Sequence, residues 1–126
     1  MLISALWAYL ALLGTHWIAD FVLQTHWQAS NKSKNNNALS RHVLVYTGCL
    51  AAASYLLLAR PDHGPQWVVF VAVNGALHFA TDYVTSRASS RLYTKQDWHN
   101  FFVVIGFDQL IHQSTLATTM WLAFYR

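Results

Sequence analysis

Four apolar runs, each near twenty residues, leave this chain few ways to fold. They cover about 2–24, 39–59, 67–86 and 99–124. An α-helix needs about 20 residues to cross a bilayer core. Only helices and closed barrels satisfy their backbone there, and these runs lack the alternation of barrel strands. The sequence therefore predicts an all-α, polytopic membrane protein with four transmembrane helices in one domain over 1–126. Composition agrees: 10% of residues are charged, against about 25% in soluble domains. The first run has no basic n-region and a long apolar part, so it reads as a span rather than a signal peptide. The single cysteine, Cys49, sits in an apolar run. It excludes an intrachain disulfide and a CxxC metal motif and reads as a small buried residue.

The loops orient the spans. The first, HWQASNKSKNNNALSR, carries Lys32, Lys34 and Arg41; the third, RASSRLYTKQDW, carries Arg87, Arg91 and Lys95. The opposite side has only Arg60 and Arg126 besides the amino terminus. The positive-inside rule then places loops one and three in the cytoplasm and both termini outside. Trp27, Tyr93 and Trp98 fall at the inner interface, and Trp67, Trp121 and Tyr125 at the outer one, as aromatic belts do. Loop one, rich in Asn, Ser and Lys, reads as mobile. RPDHGP (60–65) reads as a turn.

Ionisable residues appear where a span should exclude them. HWIADFVLQ (16–24) and HFATDYVTS (78–86) share one pattern: His, aromatic, two residues, Asp, aromatic, Val. Both lie at the cytoplasmic end of an outward-to-inward span. This suggests a two-helix internal repeat about an axis along the membrane normal. The fourth span carries the reverse spacing, Asp108 to His112. Each Asp within a span thus has a His four residues away, on the adjacent turn of the same face; Asp62 and Asp97 fall in loops. At about 1.5 Å per residue, His16 lies about 16 Å inward from Trp27, His78 about 13 Å from Arg87 and Asp108 about 15 Å from Trp98. Three helices bring their polar pairs to similar depth, with His42 shallower.

Each such group costs at least about 2.5–3.5 kcal/mol at a span centre. A purely structural His–Asp network is one reading. Metal binding uses the same residues better, since neutral His and ionised Asp suit zinc, manganese or iron. His16, Asp20, His42, His78, Asp82, Asp108 and His112 are seven candidate ligands. Seven is too many for one tetrahedral zinc and suits two ions, or one ion with outer partners. The expected cofactor is a divalent metal, zinc or manganese foremost. Gln24 and Gln109 are candidates to orient water or substrate. Lys32 and Arg87, with Lys34 and Arg91, lie near the cytoplasmic mouth and suit an anionic head group; they equally serve topology. Gly14, Gly48, Gly75 and Gly106 suit close helix approach. His26, His63 and His99 lie at or outside the interfaces and read as solvated.

The run HWIADFVLQTHWQASNKSKN, then His42, then HFATDYVTSR, then FDQLIHQ resembles a family of small bacterial and phage membrane proteins catalogued as domain of unknown function 3307. The resemblance covers nearly the whole chain. It implies an integral membrane protein with no established activity, here in a bacterial inner membrane with periplasmic termini. His16, Asp20, Gln24, Trp27, Lys32, His42, His78, Asp82, Asp108, Gln109 and His112 fit its pattern. A looser likeness, in intramembrane His and Asp only, is to membrane-bound metal-dependent hydrolases.

The leading functional expectation is a metal-dependent hydrolase of a lipid or polyprenyl phosphoester, with membrane lipid as its partner. The alternative is a proton- or metal-coupled transporter or channel; four helices make a thin pathway, so this needs a homo-oligomer. A third class is a phage or host membrane interaction protein with a structural His–Asp network. Nucleic-acid binding is not expected, because the basic residues are few and flank helices. No nucleophilic Ser motif, phosphate loop or cofactor fingerprint is present.

Overall fold

The computed structural model describes residues 2–58 and 63–126. Arg60, Pro61 and Asp62 of the expected RPDHGP turn, and Ala59 at the expected end of the second span, lie outside the described residues. The rest is helical throughout. Helix α1 spans Leu2–Trp17 and runs straight into a π turn, Ile18–Val22. A short helix α2 spans His26–Asn31. Three long helices follow: α3 over Asn36–Leu58, α4 over Gly64–Thr94 and α5 over Trp98–Phe124. Three stretches are long and apolar enough to cross a membrane: Ile3–Val22, Asn36–Leu58 and Gly64–Thr94. They mark the chain as a membrane protein. The large apolar residues facing outward on them, such as Ile3, Trp7, Leu44, Leu56 and Val69, suit lipid rather than water.

The four long helices alternate in direction. Pairing is most extensive between α4 and α5, then between α3 and α4, then between α1 and α3. The apolar core fills the end of the bundle near the start of α1 and the end of α5. Leu12, Leu50, Phe70 and Leu116 are each at most 1% exposed there, and Met120 4%. Trp67 Nε1 donates to Ser54 Oγ at 3.1 Å, and Asn74 Nδ2 to Thr119 Oγ1 at 2.8 Å. The polar residues collect toward the opposite end.

Three local features differ from the sequence expectation. First, loop one contains a short helix. Thr25 and Gln28 form a reciprocal capping box that starts α2: Gln28 N–H donates to Thr25 Oγ1 at 3.2 Å, and Thr25 N–H to Gln28 Oε1 at 2.9 Å. The T-x-x-Q spacing carries that signal. Second, α4 continues to Thr94 instead of ending near Ser86. RASSRLYT holds no Pro or Gly to stop a helix, so hydropathy ends before the helix does. Its 31 residues span about 46 Å, more than the roughly 30 Å bilayer core. Third, the first helix changes pitch at Ile18, where Leu23 N–H bonds to Ile18 O at 2.9 Å. The extra residue in that turn buries Ala19 and Asp20 together and leaves Phe21 and Val22 outward.

The hairpin between α4 and α5 closes through Gln96, held at φ 57°. Asp97 then caps α5. The Asn100 amide at 2.8 Å and its backbone N–H at 3.2 Å donate to the Asp97 carboxylate and hold it below the usual carboxylate range.

Of Gly14, Gly48, Gly75 and Gly106, only Gly75 sits at a tight contact. A Cβ there would meet Thr47 Oγ1 at 2.8 Å, whereas Gly14, Gly48 and Gly106 have nothing within 4 Å. Thr47 cannot swing away freely, because its hydroxyl donates to Val43 O at 2.7 Å. Gly75→Ala is therefore expected to destabilise the bundle by about 1–3 kcal/mol, the usual cost of overpacking. Gly106→Ala should be near neutral. Thermal unfolding of the two variants in one detergent checks this.

Candidate functional site

The site begins with helix faces. On α3, His42 and Tyr46 lie one turn apart on the buried stripe. On α4 the buried stripe continues through Asn74, His78, Asp82, Thr85 and Ser86. On α5, His112 begins the buried stripe and Asp108 lies one turn before it. The π turn of α1 adds Asp20 beside His16. Each of His16, Asp20, His42, His78, Asp82 and His112 is at most 4% exposed.

These side chains converge. His42 Nε2 lies 2.9 Å from Asp20 Oδ1 and 3.3 Å from Asp82 Oδ2. His78 Nε2 lies 3.4 Å and 3.7 Å from the same two oxygens, and 3.3 Å from His42 Nε2. His112 Nε2 lies 3.1 Å from Asp82 Oδ1 and 3.4 Å from Asp108 Oδ1. The ligand atoms fall into two groups within 4.8 Å: Asp20, His42, His78 and Asp82, and Asp20, Asp108 and His112. Asp20 belongs to both. A buried His/Asp cluster that could hold a metal ion is thus in place.

The chain matches the family model described as "Protein of unknown function (DUF3307)" over residues 8–125. It belongs to this family. No curated protein and no solved structure matches it, so the looser likeness to membrane-bound metal-dependent hydrolases gains nothing from these comparisons.

Six of the seven candidate ligands of this DUF3307 chain lie in one or other group. His16 lies in neither: its Nε2 is 3.6 Å from Asp20 Oδ2 and 3.4 Å from Gln109 Oε1. Gln109 bridges two of the carboxylates. Its Nε2 donates to Asp20 Oδ2 at 3.1 Å and to Asp108 Oδ2 at 3.0 Å. Gln24 instead donates to the backbone of Asp20 at 2.9 Å and leaves its Oε1 buried without a partner. Of the two basic residues expected to meet a head group, Lys32 lies deeper than expected. Its Nζ is 2.9 Å from Asp82 Oδ2, with the side chain 19% exposed. Arg87 is turned elsewhere. It donates to Tyr83 O and Asn36 Oδ1, both at 2.8 Å, and lies 3.6 Å over the Tyr83 ring. His26 and His99 are exposed, as expected, whereas His63 is half-buried, its ring 5.8 Å from that of Phe124.

Sequence reading missed two members. Thr85 donates to Asp108 Oδ1 at 2.5 Å. The His78 ring stacks with Tyr46 at 3.9 Å and with His112 at 4.1 Å. Spacing held both signals, since Thr85 follows Asp82 by three residues and Tyr46 follows His42 by four, each on the same helix face.

A cleft of about 610 Å³ reaches the cluster from the end of the bundle formed by loop one and the hairpin between α4 and α5. Asp20, Asp82, Asp108 and Gln109 form part of its lining, with Lys32, Lys34 and the outer turns of α4 and α5 above them. On the far side, the buried Leu12, Phe70, Leu116 and Met120 close the bundle.

Proposed function

We propose that this chain is a four-span inner-membrane protein whose His/Asp centre holds one or two divalent ions and hydrolyses a lipid or polyprenyl phosphoester. One observation carries the metal reading. A tetrahedral ion with bonds of about 2.0–2.1 Å has ligand–ligand edges of about 3.3 Å. The five edges measured among His42 Nε2, His78 Nε2, Asp20 Oδ1 and Asp82 Oδ2 run from 2.9 to 3.7 Å. Asp108 and His112, sharing Asp20, are suited to a second ion beside it. Zinc and manganese are the ions this His and carboxylate set favours. Such an ion supplies an acidified water and neutralises charge on a phosphoryl oxygen. Gln109 holds Asp20 and Asp108 in place, and Thr85 fixes the Asp108 carboxylate.

α5 is proposed as the fourth span because its 27 residues suffice in length and it packs along α4. Loops one and three then face the cytoplasm and the termini the periplasm, by their basic residues. The proposed two-helix repeat gains support from Asp20 and Asp82, which stand together in one ligand group. The two copies differ in conformation, since the π turn occurs only in the first.

Hydrolysis needs access to the centre from one face, which this cleft supplies, whereas transport needs it from both. A specific observation favours the second reading, a proton-coupled transporter. Nδ1 of His16, His42 and His78 is buried without a partner, whereas metal-ligating His normally donates its other N–H. Two assays decide. Purified protein loaded with zinc or manganese should cleave a phosphatidic or polyprenyl phosphate and lose at least about a hundred-fold on metal removal, as expected where metal acidifies the water. Full activity in metal-free protein sinks the hydrolase reading. Proton flux in liposomes that vanishes on Asp108→Asn would establish transport instead.

Lys32 bears on metal affinity. Its ammonium already neutralises Asp82, so it competes with any cation placed there. Lys32→Met is expected to tighten zinc binding roughly ten-fold by removing that repulsion. Competition against a chelating dye measures it, and unchanged affinity would show that the ammonium lies away from the ion.

A further inference from the structure

The cleft above the cluster has walls of unlike chemistry. α5 contributes Phe101, Val104 and Ile105, one face of a helix at three- and four-residue spacing. α4 contributes Ser86 and Ser90, also four apart, on the wall facing them. The α2–α3 connection contributes Lys34, which is exposed.

Ser86 is the informative residue. It is 9% exposed, and its hydroxyl has no hydrogen-bond partner. A buried hydroxyl left unsatisfied is costly, and most hydroxyls nearby avoid that state. Thr85 donates to Asp108, Ser89 to Ser86 O, and Thr94 to Ser90 O. Ser86 lies one turn beyond Asp82, so whatever it binds abuts the Asp20/Asp82 ligand group.

We infer that Ser86, Ser90 and Lys34 form a subsite for a phosphoryl group whose hydrocarbon chain lies along Phe101, Val104 and Ile105. The inference rests on the phosphoester reading above and names the substrate class of that site: an anionic, single-phosphate lipid. Two hydroxyl donors and one ammonium match the oxygens of a phosphomonoester. A zwitterionic head group would bring its own cation beside the Lys34 ammonium, a like-charge contact that disfavours it. The apolar α5 wall separates a lipid-borne phosphate from free phosphate, which leaves that wall wet.

The test is binding, so that it reads independently of turnover. Full-length protein in detergent is assayed for metal content by elemental mass spectrometry. It is then titrated by calorimetry with a short-chain phosphonate analogue of phosphatidic acid, with phosphatidylcholine of equal chain length, and with inorganic phosphate. The phosphonate lipid is expected to bind at least about ten-fold more tightly than either control, the worth of one lost charged hydrogen bond or a few buried methylenes. Ser86→Ala and Lys34→Gln should each weaken it about ten-fold by the same measure. Metal content should not change, and thermal stability should not fall, because the Ser86 hydroxyl has no internal partner to lose.

Ser86→Ala and Lys34→Gln proteins that bind the phosphonate as wild type does, with metal retained, overturn the subsite and leave the hydrolase reading standing. Wild type that binds the phosphonate through Ser86 yet takes up neither zinc nor manganese keeps the subsite and defeats the hydrolase reading. Equal affinity for inorganic phosphate overturns the lipid source, and equal affinity for phosphatidylcholine overturns the phosphomonoester class.

Discussion

Asp20→Asn is expected to empty the centre of bound divalent metal, whereas Asp108→Asn should leave one ion in place. The asymmetry follows from geometry. Asp20 Oδ1 faces His42 and His78, at 2.9 Å and 3.4 Å, and the residue belongs to both ligand groups. Removing its charge weakens both ions at once. Asp108 serves only the group with His112, so the four-residue group survives its loss. Replacing even an outer-shell partner typically costs 10–100-fold in metal affinity, and loss of a ligand should exceed about a hundred-fold. Asparagine keeps the volume and can still accept from Gln109 Nε2, so the helices should stay packed. Elemental analysis of detergent-purified wild type and both variants, loaded with zinc and then with manganese, gives the stoichiometry. If Asp108→Asn loses as much metal as Asp20→Asn, the two-group arrangement is wrong and one ion is shared by all. If none of the proteins holds metal, the cluster is a relay or a structural network.

How much of this was legible in the sequence differs by element. The long helices were, because a twenty-residue apolar run has one common solution in lipid. Their ends were less so. Ser86 looked like an end because hydropathy falls there, yet nothing in RASSRLYT prevents a helix. The break after Val22 was invisible to hydropathy, since the π turn is a backbone event with no side-chain signature of its own. α2 was written in Thr25 and Gln28, but loop composition masked it.

The site was legible as a set of pairs. His16–Asp20, His78–Asp82 and Asp108–His112 could each be read from their four-residue spacing, and all three meet. Which pairs share ligands could not, because that depends on the rotation of each helix about its axis. His16 shows this: its spacing matches that of His78, yet the pitch change directly after it leaves its Nε2 nearer Gln109 than Asp20. Lys32 shows the converse. Its place in the sequence suits surface steering or topology, and the short helix before it carries the ammonium down to Asp82.

Asp82→Asn is expected to destabilise the metal-free protein by roughly 3–5 kcal/mol, the cost of leaving a buried charge without its partner. The Lys32 side chain is 19% exposed and the Asp82 side chain 2%, so water can do little for the ammonium once the carboxylate is gone. His42 and His112, at 3.3 Å and 3.1 Å from Asp82, lose an anionic neighbour in the same step. Adding Lys32→Met should recover a large part of the loss, because the orphaned ammonium goes with it and an apolar chain of similar length fills its place. Stability should therefore rank wild type first, the double variant second and Asp82→Asn last. Thermal unfolding of the four proteins of this cycle, in one detergent and with chelator present, measures the coupling. Additive single effects would show that the ion pair does not form in the metal-free state, and that Lys32 faces the cleft. Zinc should then collapse the difference between wild type and Lys32→Met, since an ion at Asp82 makes the ammonium redundant.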